Sequence, residues 1–120
     1  MGKKTLVIGA STNPERYSNK AIHSLRKHGH SVVALAKRAG KVADVEIQTE
    51  FPANEEIHTV TMYVGAKHQP EYYKSLLELN PDRVIFNPGA ENFELSDMRE
   101  MNGVETIEGC TLVMLHTDQY

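Results

Sequence analysis

The sequence predicts an α/β fold, a doubly wound and mostly parallel sheet in a single domain. Three observations carry that expectation. Short apolar runs rich in Val and Ile recur along the chain, segments of helical periodicity alternate with them, and three of the runs have a glycine at or just past their ends.

Residues 5–8 (Thr-Leu-Val-Ile) form the first run, largely apolar and β-branched and closed by Gly9, the pattern of a strand buried on both faces. A polar loop over 11–18, containing Pro14, leads to a helical segment with Ala21, Ile22 and Leu25 on one side. Ser18 is the expected N-cap of that helix and Gly29 its C-terminal glycine. Residues 32–36 are the second strand, followed at once by the basic residues Lys37, Arg38 and Lys41. A strand, a helix and a parallel strand connected in this order cross over right-handedly in nearly all proteins, which places the helix on one face of the sheet.

Residues 42–58 are left open: Val45 and Ile47 suit a short strand, whereas Pro52, Asn54 and the Glu55-Glu56 pair suit a surface connection. The pattern resumes with a strand at 60–64 and a helix opened by Pro70 that carries Tyr73, Leu76 and Leu77. Asn80-Pro81-Asp82 makes a turn into a strand at 84–86. After Asn87-Pro88-Gly89, a helix with Phe93, Leu95, Met98 and Met101 on its apolar side runs to Gly103, and residues 104–107 and 111–115 are expected as closing strands. With no repeat and no linker, residues 1–120 read as one Rossmann-type domain.

The 120 residues suffice for one core but not for a cofactor domain plus a substrate domain. A charged fraction of 24% and a hydrophobic fraction of 40% are those of an ordered globular protein. The net charge of -3 gives no global attraction to nucleic acid or anionic lipid, so an anion site has to be local. The lone Cys110 excludes an internal disulfide and fits a reducing compartment. The start Met1-Gly2 continues to Leu6 where myristoylation wants Ser or Thr, and no apolar run reaches the ~20 residues of a membrane span. The expected location is cytoplasmic.

In an open parallel sheet, ligands bind beyond the carboxyl ends of the strands where the strand order reverses. The exits here are Gly9-Ala10-Ser11, Lys37-Arg38, Gly65-Ala66 and Asn87-Pro88-Gly89. Glycine lets the backbone approach a ligand, and the amides that follow, with a helix amino end, form an anion pocket. The loop 9–14 lacks the G-x-G-x-x-G spacing of dinucleotide enzymes. Where NAD binders place an acid after the second strand, this chain places Lys37, Arg38 and Lys41, which suit an extra ribose phosphate. Two ligands remain open on these grounds: NADP with its 2′-phosphate and coenzyme A with its 3′-phosphate.

The segment Leu6-Val7-Ile8-Gly9-Ala10-Ser11, with Asn13-Pro14, resembles the small stand-alone CoA-binding proteins, which are similar to the amino-terminal CoA-binding domain of the succinyl-CoA synthetase α subunit. The resemblance continues through Tyr63-Val64-Gly65-Ala66, residues 87–92 and Glu108-Gly109-Cys110. It implies that Gly9, Ala10, Ser11, Thr12 and Asn13 line a diphosphate and that Lys37, Arg38 or Lys41 meets the adenosine phosphates. It further implies that Val64, Gly65 and Ala66 pass the pantetheine arm, with Phe86, Asn87, Pro88 and Gly89 as the opposite wall. These small proteins usually read Asn-Pro after the second strand, and here the sequence departs from them. The synthetase's phosphohistidine has no counterpart, so binding of CoA or acyl-CoA is expected, in service of a partner enzyme or subunit, without catalysis.

The other constellations are weaker. His23, His28, His30, His58, His68 and His116 are scattered, so no metal is expected. His68, after the third strand exit, has no orienting carboxylate in sight, and Cys110 with His116 lacks a third partner. Glu91, Glu94, Asp97 and Glu100 read as a solvated helix face. The tyrosines do not interleave with basic residues, so nucleic acid is not an expected partner. The competing functions are an NADP-dependent reductase and an interaction domain with a vestigial cleft; the oligomeric state is left open.

Overall fold

A computed structural model describes residues 2–100 and 102–120, with the backbone alone for Arg99 and Glu100. Met1 and the expected apolar helix residue Met101 lie outside the described residues, as does the side chain of Glu100. Seven strands form one sheet: β1 (Thr5–Ile8), β2 (Val32–Leu35), β3 (Gly40–Val42), β4 (Val45–Gln48), β5 (Thr59–Met62), β6 (Arg83–Phe86) and β7 (Glu105–Glu108). Their order is β3-β4-β2-β1-β5-β6-β7, parallel throughout except for the β3–β4 hairpin. The helices are α1 (Tyr17–Lys27), α2 (Tyr73–Leu79), α3 (Phe93–Glu100) and α4 (Thr111–His116), with 3-10 turns at Ala66–His68 and Pro70–Tyr72. This is the doubly wound α/β sheet that the sequence predicts. No helix among the described residues is long and apolar enough to cross a membrane.

β1 is the central strand, with Thr5 opposite Val32 of β2 on one side and Thr59 of β5 on the other. Its four residues are fully buried because both faces of the sheet are covered. Period-two alternation divides them: Leu6 and Ile8 pack with Met62, Leu76, Phe86 and Leu95, while Val7 packs with Ile22, Leu25, Ala34 and Leu115. α2 and α3 therefore cover one face, and α1 and α4 the other. Burying each such side chain is worth about 1.5–3 kcal/mol.

α1 ends as Gly29 requires. The φ of +84° at Gly29 lets its N–H reach Arg26 O (3.1 Å) while the His30 N–H reaches Leu25 O (3.0 Å), a Schellman closure. Its start differs from expectation: the N-cap is Arg16, in an extended conformation, and Ser18 lies buried inside the first turn. The cause is Asn13, whose side chain accepts the Glu15 N–H and whose carbonyl accepts the Arg16 N–H, so the loop turns directly into the helix.

Two further elements correct the sequence reading. Residues 111–115 are not a strand but most of α4, where Thr111 and Leu115 are buried one turn apart and Val113 is 55% exposed. A strand would have placed all three on one face; packing against α1 selects the period of a helix over the β-branched composition. In α3, Asn92 caps the helix by accepting the Leu95 N–H, and Leu95 is its fully buried side chain, whereas Phe93 is 81% exposed rather than apolar core. Leu77, likewise expected inside, is at the surface.

The segment left open, 42–58, contains β4, with Val45 and Ile47 facing inward. β3 precedes it and pairs antiparallel, Lys41 opposite Glu46.

Candidate functional site

The strand order reverses at β1: the chain leaves β1 for β2 on one side and later returns to β5 on the other. Beyond the carboxyl ends of these strands lies a cleft of about 1240 Å³. Its walls are residues 9–13 and 15–18 from the first loop and the start of α1, residues 36–39 after β2, Ile47 of β4, Tyr63, Val64, His68, Glu71 and Tyr72 after β5, and Pro88 after β6.

The first loop is built to expose its amides. Gly9 has φ +95°, and a side-chain carbon there would stand 3.0 Å from Val64 Cγ2 and 3.2 Å from the Tyr63 backbone carbon, so only glycine fits without displacing the β5 exit. The Gly9 and Ala10 N–H groups both donate to Leu35 O, at 2.9 and 3.1 Å, bending the chain away from the sheet. Asn19 Nδ2 donates to Ser11 O (2.9 Å) and the Asn13 N–H to Ser11 Oγ (3.1 Å), which fix the loop against α1. Among the described residues no acceptor meets the amides of Ser11, Thr12, Tyr17 and Ser18, and all four residues line the cleft. Free amides from a glycine turn and a helix amino end are the donor set of an anion pocket.

Three cations share that cleft. Arg16 and Arg38 have no ion-pair partner among the described residues, while Lys37 Nζ stands 2.5 Å from Glu71 Oε2. The hydrogen bond to Glu71 raises the Lys37 pKa above its ordinary value. Lys37 Nζ also lies 6.0 Å from the ring centre of Tyr72, which is tilted against Phe51 at 6.5 Å. Burial first, and then the Glu71 charge, raises the Tyr72 pKa.

The floor holds Tyr63, whose phenol oxygen is buried without a partner at hydrogen-bonding distance among the described residues. Thr61 and Thr111 lie close enough to moderate its ionisation but are committed to each other at 2.8 Å, and burial pushes its pKa up to about 12. Tyr63 is thus a neutral wall, not an acid or base near pH 7.

Of the residues singled out in the sequence, Gly9, Ala10, Ser11, Thr12, Asn13, Ser18, Lys37, Arg38, Val64 and Pro88 come together in the cleft. Lys41 does not line it: on β3 it is exposed opposite Glu46. Phe86 is core, and Asn87 is scaffolding. Its Nδ2 donates to Thr61 Oγ1 (2.7 Å) and Met62 O (3.0 Å) and its Oδ1 accepts the Thr111 N–H (2.9 Å), tying β5, β6 and α4 together. Gly65, Ala66 and Gly89 stand beside the cleft rather than in its walls. A side-chain carbon on Gly65 would be 3.9 Å from Gly89 O, so the two exits face each other.

The sequence reading missed Arg16, Tyr17, Glu71 and Tyr72 as cleft residues. The signal for the first pair was a cation and an aromatic directly before the helix, hidden by placing the helix start at Ser18. His68 is exposed in the cleft wall, and Cys110, half-buried at the β7 exit, is not part of it. Among the described residues no three His, Cys, Asp or Glu side chains gather to hold a metal.

Against known proteins, residues 3–116 match a family model described as a CoA binding domain. No curated protein matches the chain. Among solved structures, an uncharacterized protein is similar over 100% of this chain and 99% of its own, at 41% identity and a TM-score of 0.96. A hypothetical protein from Pyrococcus horikoshii OT3 is similar over 98% of this chain and 84% of its own, at 23% identity and a TM-score of 0.86. A dinucleotide forming acetyl-coenzyme A synthetase from Ca. Korarchaeum cryptofilum shares the fold over 90% of this chain and 26% of its own, at 11% identity and a TM-score of 0.71.

Proposed function

The chain belongs to the CoA binding domain family, and on that premise we propose that it binds coenzyme A or an acyl-CoA in the cleft at the β1 switch point, as a module without chemistry of its own. The observation that carries this reading is the pairing of four free amides, at Ser11, Thr12, Tyr17 and Ser18, with the cations Arg16, Lys37 and Arg38 around one cleft. The amides and Arg16 suit the diphosphate, for which the helix amino end adds a favourable dipole. Lys37 and Arg38, past β2, suit the 3′-phosphate of the adenosine. Val64 and Pro88 then flank the pantetheine arm, and Tyr63 closes the floor.

The assigned residues bind and orient; none is given a proton to move. Tyr63 is held neutral, and His68, although in the wall, forms no side-chain hydrogen bond or ion pair among the described residues. The proposed setting is the cytoplasm, where the bound cofactor would be presented to a partner enzyme or subunit.

The test is calorimetric titration of the protein with CoA, 3′-dephospho-CoA, NADP and NAD, repeated on a Lys37→Ala, Arg38→Ala double variant. The expected result is CoA binding that weakens about tenfold or more on loss of the 3′-phosphate or of the two cations, since charge-assisted bonds are worth about 1.5–3 kcal/mol. Binding of NADP in preference to CoA would replace the reading with a reductase-type domain. Silence from all four ligands would leave an interaction domain with a vestigial cleft.

A further inference from the structure

Past Met62 and Phe86 the β5–β6 ladder ends, and the two chains separate into the segments that carry Val64 and Pro88. Among the described residues the pairing continues by one backbone bond, from the Asn87 N–H to Met62 O (3.3 Å). Beyond that point the bridge is a side chain. Gln69, with no exposed surface, donates one Nε2 proton to Val64 O and the other to Ala90 O, both at 2.7 Å. Its Oε1 accepts from Asn92 Nδ2 (2.9 Å), which also donates to Tyr73 Oη (2.8 Å), while Asn92 Oδ1 caps α3.

Every polar atom of the Gln69 amide is thereby used, and each of its partners is fixed by a different element. A fully satisfied buried amide holds its geometry because releasing any bond leaves a desolvated group unpaired. The two carbonyls it holds belong to Val64 itself and to Ala90, two residues past Pro88, so a single amide group bridges the segments that carry those cleft walls. The bonds that hold the adenosine half of the cleft come from other residues: the first loop is held by Asn13, Asn19 and Leu35, and the Lys37–Arg38 turn follows β2, its tie to the Gln69 segment being the exposed Lys37–Glu71 pair.

We propose that Gln69 is the positioning residue of the cleft, fixing the gap between Val64 and Pro88 that receives the thiol-bearing arm of the ligand, independently of the end that receives its phosphates. The inference rests on the CoA reading above. It makes the affinity of the arm separable from that of the nucleotide.

The experiment titrates CoA and adenosine 3′,5′-bisphosphate, which lacks the pantetheine arm, into the protein and into Gln69→Met, which keeps length and volume but removes both donors. Far-UV circular dichroism establishes that each variant is folded. The expected result is a loss of about tenfold or more in CoA affinity with less than a twofold change for the bisphosphate. Equal losses for both ligands would mean that Gln69 is merely structural, and no loss for either would mean that the gap does not depend on it; both outcomes overturn the proposal. If Gln69→Met does not fold, Tyr73→Phe, which removes the outermost bond of the network, applies the same criterion: a selective two- to threefold loss for CoA supports the proposal and an equal or absent loss overturns it. Failure of the parent protein to bind either ligand would instead sink the CoA reading.

Discussion

Lys37 and Glu71 face each other in the cleft, Nζ to Oε2 at 2.5 Å, although one follows β2 and the other lies in the 3-10 turn after β5. The carboxylate occupies the cation that a ligand phosphate would claim. Both side chains are well exposed, so the pair itself adds little to stability. Glu71→Gln is therefore expected to leave thermal stability unchanged and to tighten CoA binding about two- to fivefold, by freeing Lys37 and removing a negative charge. Titration of the variant checks it; weaker binding would show that Glu71 supports the ligand rather than competing with it.

Gly9→Ala should damage fold and site together. The φ of +95° and the 3.0 Å approach to Val64 leave no relaxed place for a methyl group. A cost of about 1–3 kcal/mol follows from the backbone alone. A melting temperature lower by about 5–10 °C, with CoA affinity reduced tenfold or more, is the expected outcome in parallel melts and titrations. An unchanged melt would contradict the close approach.

The helical identity of α4 is tested by two substitutions. Val113 faces water, so Val113→Glu should change stability by less than about 0.5 kcal/mol, whereas Leu115→Ala, in the α1 interface, should cost about 2–4 kcal/mol. A strand at 111–115 would instead make the two positions comparable, and urea unfolding of both variants distinguishes the cases.

The amino end of the sheet carries a pH dependence. His30 Nδ1 accepts the Lys3 N–H at 2.9 Å, and its ring lies 4.8 Å from that of Tyr120. Burial, followed by the charges of Lys3, His28 and Arg83, lowers its pKa. Burial also lowers that of His58, against the opposing pull of Asp82. Because the folded protein resists protonation, the unfolded chain takes up more protons as the pH falls. The stability is therefore complete above the ordinary histidine value near about 6.5 and is lost below it. The melting temperature should fall between about pH 7.5 and 5.5, and by less in His30→Gln; superimposable profiles would exclude His30 as the group.

The site was legible in part because strand exits are local features. Gly9 shows in the sequence as the end of an apolar run, and Lys37-Arg38 as cations after the next; both lie in the cleft. Glu71 and Tyr72 were not legible, because they enter the same space from a turn more than 30 residues further on. Asn87 was placed by its strand exit, but its role was not readable: its partners Thr61 and Thr111 lie 26 and 24 residues away.

By itself the sequence determined the α/β architecture, because strands buried on both faces must be largely apolar and the helices that cover them must keep a single apolar stripe. It determined Gly29 as the close of α1, because the left-handed φ there is cheap only for glycine. The tertiary structure alone decided that residues 111–115 form a helix, since a short, largely apolar run serves either period until a neighbour selects one, and here α1 does. It also decided the start of α1, through Asn13, and the bridge between the Val64 and Ala90 carbonyls, through Gln69. Those choices rest on hydrogen bonds and packing between residues distant in the chain, where local pattern carries no information.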